Sequence, residues 1–169
     1  MKNITLIGMP GAGKSTLGVI LAKILCTNFI DTDLLIQQTH SSPLQKIIGE
    51  SGLEAFLNLE ATTICSLDVH NHVIATGGSV VYRYRSMEHL LQISMVVFLN
   101  VPLQELKKRI SSMMFTRGIV MKRGETLADL LSERLPLYRK YSHHEIDCSE
   151  KSMERIVGEL TSLFRSDSL

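Results

Sequence analysis

The chain has 169 residues, 44% of them hydrophobic and 21% charged, with a net charge of +1, proportions that exclude a disordered or fibrous chain and fit one domain with a real core. The near-neutral balance gives no reason to expect a nucleic-acid or membrane partner, and the apolar runs Asn3 to Ile7 and Ser94 to Leu99 are too short to span a bilayer. Cys26, Cys65 and Cys148 are widely spaced without a CxxC pair, and Met1-Lys2 leads straight into the first strand with no room for a signal peptide, so a cytoplasmic chain with reduced thiols is expected.

Asn3 to Gly8 reads as a buried parallel strand, since its apolar residues run almost without alternation. Lys14 to Leu25 follows as a helix with Leu17, Ile20, Leu21, Ile24 and Leu25 at spacings of three and four. Between them lies Gly8-Met9-Pro10-Gly11-Ala12-Gly13-Lys14-Ser15-Thr16, the full GxxxxGK[ST] pattern in its strand-then-helix context. A nucleoside triphosphate is the ligand such a loop binds. Backbone N–H groups from Gly8, Gly11, Ala12, Gly13 and Thr16 wrap phosphates, Lys14 reaches the β and γ groups, and Ser15 is placed to ligate Mg²⁺.

Asn28 to Thr32 predicts a second strand ending in Asp31-Thr32-Asp33, whose period of two puts both carboxylates on one side if extended geometry continues that far. Leu34 to Glu60 carries short helical pieces punctuated at Ser41-Ser42-Pro43 and Glu50-Ser51-Gly52, forming a small cap beside the sheet. Asn71 to Ala75 returns to strand and ends in Thr76-Gly77-Gly78-Ser79, either a plain tight turn or a place where backbone approaches a ligand closely. Ser94 to Leu99 is a further strand, and Pro102 opens a helix to about Ile110.

Ser111 to Gly124 has no clean period and reads as a mobile loop in which Met113-Met114-Phe115 packs on the core or else contacts a ligand. Glu125 to Tyr138 resumes helix, broken or ended near Pro136. Ser142 to Cys148 predicts a last strand, its His143-His144 pair reading as a solvated start with one inward imidazole rather than a zinc site. Met153 to Phe164 is a terminal amphipathic helix. Strands alternating with helices give a three-layer α/β protein with a parallel sheet.

Phosphoryl transfer needs a metal, cations on the moving oxygens and an oriented nucleophile. Asp31, at the end of the second strand, is the candidate to support Mg²⁺, and Asp33 to accept the proton of an alcohol or else to cap the next helix. Arg117 stands in the loop, Arg109 where it can meet adenine or phosphates, and Arg134 where it can clamp a carboxylate or phosphate; each is otherwise a solvated surface charge.

These motifs in this order resemble the shikimate kinases, P-loop proteins akin to the nucleoside-monophosphate kinases. The resemblance rests on Gly8 to Gly18, Phe29 to Asp33, Gly52-Leu53-Glu54-Ala55-Phe56 with Glu60, Ala75 to Gly78, Val96 to Leu99 and Arg134-Leu135-Pro136-Leu137-Tyr138. It implies a single kinase domain, 1–169, with a five-stranded parallel sheet, an acceptor-binding region near 32–60 and a lid near 111–123. It also implies ATP and Mg²⁺ as cofactors, a small-molecule acceptor, a monomer and a place in aromatic amino-acid biosynthesis. Asp33 would activate the acceptor hydroxyl, Gly77 and Gly78 line its pocket, Arg134 grip its carboxylate with Glu60 orienting that arginine, Arg117 descend with the lid and Arg109 pack near adenine.

Three positions depart from the family. Leu57 follows Phe56 where an arginine of the carboxylate clamp is expected, Ser79 replaces a third glycine beside the acceptor ring, and Gly118-Ile119 stands for proline-leucine after Arg117. The nucleotide side keeps the family pattern while the acceptor side changes. Arg83, Arg85 or Lys46 is then expected to supply the missing cation, or the acceptor is another small molecule such as a sugar acid, an amino-acid alcohol or a nucleotide. A non-catalytic ATP-binding regulatory module is the alternative from another class.

Overall fold

The computed structural model describes residues 3–111, 119–121 and 124–166. Five strands, β1 Asn3–Ile7, β2 Asn28–Asp31, β3 His72–Ala75, β4 Ser94–Asn100 and β5 His144–Asp147, form one sheet in the order β2-β3-β1-β4-β5. All four pairings are parallel, with β1 central and in register Ile4 to Val73 on one side and Thr5 to Val96 on the other. Parallel neighbours need crossovers, which the helices supply. These are α1 Lys14–Leu25, α2 Thr32–His40, α3 Leu44–Ser51, α4 Leu53–Cys65, α5 Tyr84–Ile93, α6 Leu103–Ser111, α7 Leu127–Tyr141 and α8 Met153–Ser166.

Every β1 residue is buried, the polar Asn3 and Thr5 with their side chains hydrogen-bonded, and the strand delivers the chain to the phosphate loop at the sheet's carboxyl edge. α1 packs on β2 and β3 and against α8, while α5 packs on β4 and α4. A separate cluster of Ile36, Leu44, Ile47, Phe56, Leu57 and Val120 holds α2, α3 and α4 together as the cap read from 34–60.

The structure corrects the sequence reading in places. Extended geometry stops at Asp31 and α2 begins at Thr32, so Asp31 and Asp33 do not share a strand face. The cap of α2 is Asp31, whose Oδ1 accepts the Asp33 and Leu34 N–H groups at 3.0 and 3.2 Å; Asp33 lies in the first turn. Pro136 neither ends nor breaks α7. It sits on the exposed side, while Leu130, Arg134, Tyr138 and Tyr141 form a buried stripe that holds both halves of the helix. α5 and the 3₁₀ turn Val80–Tyr82 have no counterpart in the sequence reading. The expected lid at 111–123 lies mostly outside the described residues, as do Arg117, Gly118 and Met113-Met114-Phe115.

His143 stays exposed, and its ring reaches the sheet edge only through a backbone hydrogen bond. Val96 N–H donates to His143 Nδ1 while the His143 N–H donates to the Val96 carbonyl, each at 2.9 Å, which extends the β4–β5 pairing by one position. Among the described residues no group of three or more His, Cys, Asp and Glu side chains is placed to hold a metal, and no helix is long and apolar enough to cross a membrane.

Candidate active site

The phosphate loop leaves β1 through Gly8, Gly11 and Gly13, all at positive φ (146°, 80° and 92°), conformations that side-chain-bearing residues rarely adopt. A Cβ on Gly8 would also stand 2.8 Å from the Leu99 carbonyl oxygen. Gly13 in the left-handed region sets the start of α1, so the helix aims its first N–H groups along the loop. Lys14 is buried, and its ammonium donates to the carbonyls of Gly8 and Met9 at 2.8 and 2.9 Å. Ser15 is half-buried and Thr16 exposed on the same turn.

Arg109 reaches the loop from α6. Its Nη1 donates to the Ala12 carbonyl at 3.3 Å and its Nη2 pairs with Glu105 at 2.9 Å. Arg109 thus touches the phosphate loop itself.

The acceptor side is organised around Gly77 and Gly78, just past β3. A Cβ on Gly77 would meet Glu60 Oε1, and Asp33 Oδ1 at 2.7 Å, so the absent side chain is what lets two carboxylates approach one backbone position. A Cβ on Gly78 would stand 3.0 Å from Arg134 Nη1 and 2.8 Å from Pro10 Cδ of the phosphate loop. The two glycines therefore join the acids, the arginine and the loop in one place.

Arg134 is fully buried on α7. Its Nε donates to Tyr82 Oη at 3.0 Å, its Nη2 to the Val120 carbonyl at 2.6 Å, and its guanidinium carbon lies 4.8 Å over the Tyr82 ring centre. Nη1 has no hydrogen-bond partner. A buried guanidinium with one orphaned donor is costly unless an anion completes it, which fits the carboxylate clamp expected here.

Glu60 on α4 is 1% exposed, and Ser79 Oγ donates to its Oε1 at 3.0 Å. Burial, then the nearby Asp33 charge, pushes its carboxyl up to about 8, although the Ser79 hydrogen bond, Arg134 and Lys14 pull the other way. Ser79, buried at 3%, thus touches Glu60 rather than standing free in the pocket.

The sequence reading missed three groups that fix this geometry: Tyr82, the Val120 carbonyl and Tyr138. The Tyr138 hydroxyl donates to the Gly78 carbonyl at 2.6 Å while its ring stacks on Phe98 at 5.0 Å, so it pins the glycine turn from below. Tyr138 was visible as part of the Arg134 to Tyr138 motif without a role; Tyr82 carried no signal once the helix after it went unread.

The cations expected to replace the missing clamp arginine are engaged elsewhere. Arg83 pairs with Glu54 at 2.6 Å, Arg85 donates to the Asn58 carbonyl and Thr62 hydroxyl, and Lys46 sits 3.8 Å from Glu50 on α3. Leu57 occupies the position itself, 5% exposed within the cap cluster.

A parallel sheet with a GxxxxGK[ST] loop at its carboxyl edge, and an acid-plus-arginine pocket beside that loop, defines a P-loop phosphotransferase that acts on a small molecule. The family model for shikimate kinase matches residues 10–165. A shikimate kinase of Clostridium botulinum strain Eklund 17B is 36% identical over 166 residues, covering 96% of this chain and 98% of the relative. One from Caldanaerobacter subterraneus is 35% identical, covering 95% and 94%. The solved structure of Acinetobacter baumannii shikimate kinase in complex with shikimate is similar at a TM-score of 0.91 and 29% identity, covering all of this chain and 96% of that one. The chain belongs to the shikimate kinase family, and it is a small-molecule kinase that uses ATP.

Proposed function

We propose that the chain transfers the γ-phosphoryl group of ATP to a hydroxyl of a small, carboxylate-bearing acceptor, as its relatives named for shikimate do. The observation that carries this reading is the orphaned Arg134 Nη1, buried beside Gly78 one residue from the point where Asp33 and Glu60 converge. Shikimate itself is the reference acceptor.

The residues present fit the nucleotide and its metal. Gly8, Gly11, Ala12, Gly13 and Thr16 supply loop N–H groups, Lys14 leaves the Gly8 and Met9 carbonyls to meet the β and γ phosphates, and Arg109 borders the adenine. Mg²⁺ would be held by the hard oxygens of Ser15 and Asp31, whose Oδ1 caps α2 and whose Oδ2 is the oxygen left to serve the metal's shell. The bound nucleotide and metal supply the phosphoryl group and neutralise the charge that builds on it.

Asp33 accepts the proton of the acceptor hydroxyl as its oxygen bonds to the γ phosphorus and the bond to the β–γ bridging oxygen breaks, giving ADP and a phosphate monoester. Arg134, Gly77, Gly78, Glu60 and Ser79 hold the acceptor for in-line attack, and Pro10 against Gly78 sets the spacing between the two ligands. The chain works as one kinase domain, a cytoplasmic monomer without nucleic-acid or membrane partners; its three free cysteines, Cys148 buried, support a reducing compartment.

The test is acceptor-dependent ADP release with Mg²⁺-ATP across a panel of hydroxy acids, shikimate included, against a Lys14→Met control. Turnover at least about a hundredfold above the control is expected for one acceptor, since Lys14 is the phosphate-binding cation. No release above the control with any acceptor overturns the reading. A second reading, transfer to a different acceptor, is favoured by Leu57 standing where a clamp guanidinium is expected.

A further inference from the structure

Gly77-Gly78 runs straight into the 3₁₀ turn Val80–Tyr82, which the Tyr82 N–H closes by donating to the Ser79 carbonyl at 3.0 Å. Side chains three apart in such a turn stand one over the other, a spacing that sets Ser79 and Tyr82 on one side of it. Each serves one buried charge of the pocket. Ser79 Oγ donates to Glu60, and Tyr82 Oη accepts from Arg134 Nε, both at 3.0 Å.

Tyr82 holds Arg134 in two ways, by that hydrogen bond and by its ring, whose centre lies 4.8 Å from the guanidinium carbon. Nη2 donates to the Val120 carbonyl at 2.6 Å, so the Nε and Nη2 edge is occupied and one face is covered. Nη1, beside Gly78, is the donor left for a ligand. Burial holds the Tyr82 phenol above its ordinary value, and a hydrogen bond to Glu133 adds to the rise while Arg134 pulls it down. The phenol therefore stays neutral, with its oxygen on Arg134 and its O–H on Glu133.

The same tyrosine packs on the cap cluster that contains Leu57 and Val120, and all three line one cavity of about 180 Å³. The side chain that fixes the one guanidinium thus borders the position where a second is missing. Two guanidinium groups fix a carboxylate from two sides, whereas with one the acceptor is only as well oriented as that arginine.

We propose that Tyr82 is the positioning residue that lets a single guanidinium hold the acceptor carboxylate. Its hydroxyl and ring lock Arg134 with Nη1 toward Gly78, a fixity that elsewhere comes from a second cation and that Leu57 does not supply. This rests on the transferase reading above and states how that site orients its acceptor.

Tyr82→Phe keeps the ring and deletes the oxygen; Tyr82→Leu deletes both. Each is assayed with Mg²⁺-ATP on shikimate and on its methyl ester, which keeps the ring and hydroxyls and lacks the charge. Shikimate KM is expected to rise at least about threefold in Tyr82→Phe and further in Tyr82→Leu, the scale of ordering one long side chain on binding. Turnover number and ADP affinity, the latter by calorimetry, should stay within about threefold, and the KM of the ester within about twofold. In the Leu57→Arg background Tyr82→Phe should raise shikimate KM by less than about twofold, because two guanidinium groups then fix the carboxylate. Where Leu57→Arg does not fold, the ester comparison decides alone. A rise below threefold in Tyr82→Phe, or equal rises for shikimate and ester, overturns the inference while the kinase reading stands. No wild-type turnover with any acceptor overturns both.

Discussion

Ser79 Oγ donates to Glu60 Oε1 across 3.0 Å, and this single neutral bond is the hydrogen-bonding partner of a carboxyl that is 1% exposed. The pair sits against Asp33 from α2, Arg134 from α7 and Lys14 from α1, so the titration of Glu60 is set by charges from all three helices. Its pKa rises from 4.5 to about 8, with burial the largest cause. The folded chain keeps a proton that the unfolded chain loses above about pH 4.5, so stability falls as pH rises from there to about 8 and then levels. The local slope is at most about 1.4 kcal/mol per pH unit. Urea melts of the ligand-free protein from pH 5 to pH 9 check this. Glu60→Gln is expected to flatten the dependence, and an unchanged slope in that variant would remove Glu60 as its source.

Tyr138→Phe keeps the stack on Phe98 and deletes one hydroxyl. The Gly78 carbonyl, which accepts from that hydroxyl at 2.6 Å, is then left unpaired beneath the acceptor pocket. A buried orphan acceptor costs about 1–3 kcal/mol. Chemical denaturation should show that loss, and acceptor KM should rise while the ATP dissociation constant stays within about threefold, because Gly78 faces Arg134 and not Lys14.

How far the site was legible follows from the reach of its contacts. Gly8 to Thr16 could be read from the chain because one strand, one turn and one helix contain the whole phosphate loop. Arg134 could be named but not understood, since its partners Tyr82 and Val120 lie 52 and 14 residues away and no local pattern ties them to it. Asp31 and Asp33 were misassigned between cap and strand because α2 starts two residues earlier than a period-two reading allows. Pro136 was taken to break or end the helix; the buried stripe through Arg134, Tyr138 and Tyr141 outweighs one lost N–H on the exposed side.

Gly77→Ala tests the convergence of the two acids. Its backbone lies outside the positive-φ region, so the effect is one of space and not strain. The new methyl would press on Glu60 Oε1 and Asp33 Oδ1 and turn both away. Acceptor-dependent kcat/KM should fall by about a hundredfold or more, since a small misplacement of the group that takes the hydroxyl proton is enough for such a loss. Nucleotide binding, measured by calorimetry with ADP, should be retained. Loss of both would place Gly77 in the nucleotide site.

Leu57→Arg asks whether charge at that position selects the acceptor. The side chain now sits in the cap cluster and borders a cavity of about 180 Å³ whose lining includes Leu53, Tyr82, Val120, Glu54, Glu125 and Glu133. Removing a buried leucine costs about 2–5 kcal/mol, which a guanidinium offsets in part by reaching the acids of that cavity or Glu60 one turn away. A cation beside Glu60 favours its ionised form, so the fall in stability from pH 5 to pH 8 should shrink. Shikimate kcat/KM should rise, because the protein then carries a second cation for the acceptor carboxylate. Parallel steady-state profiles of the wild type and the variant at pH 7 decide the matter. A variant that folds, keeps its ADP affinity and leaves shikimate kcat/KM unmoved would show that acceptor binding is set by another residue of the pocket.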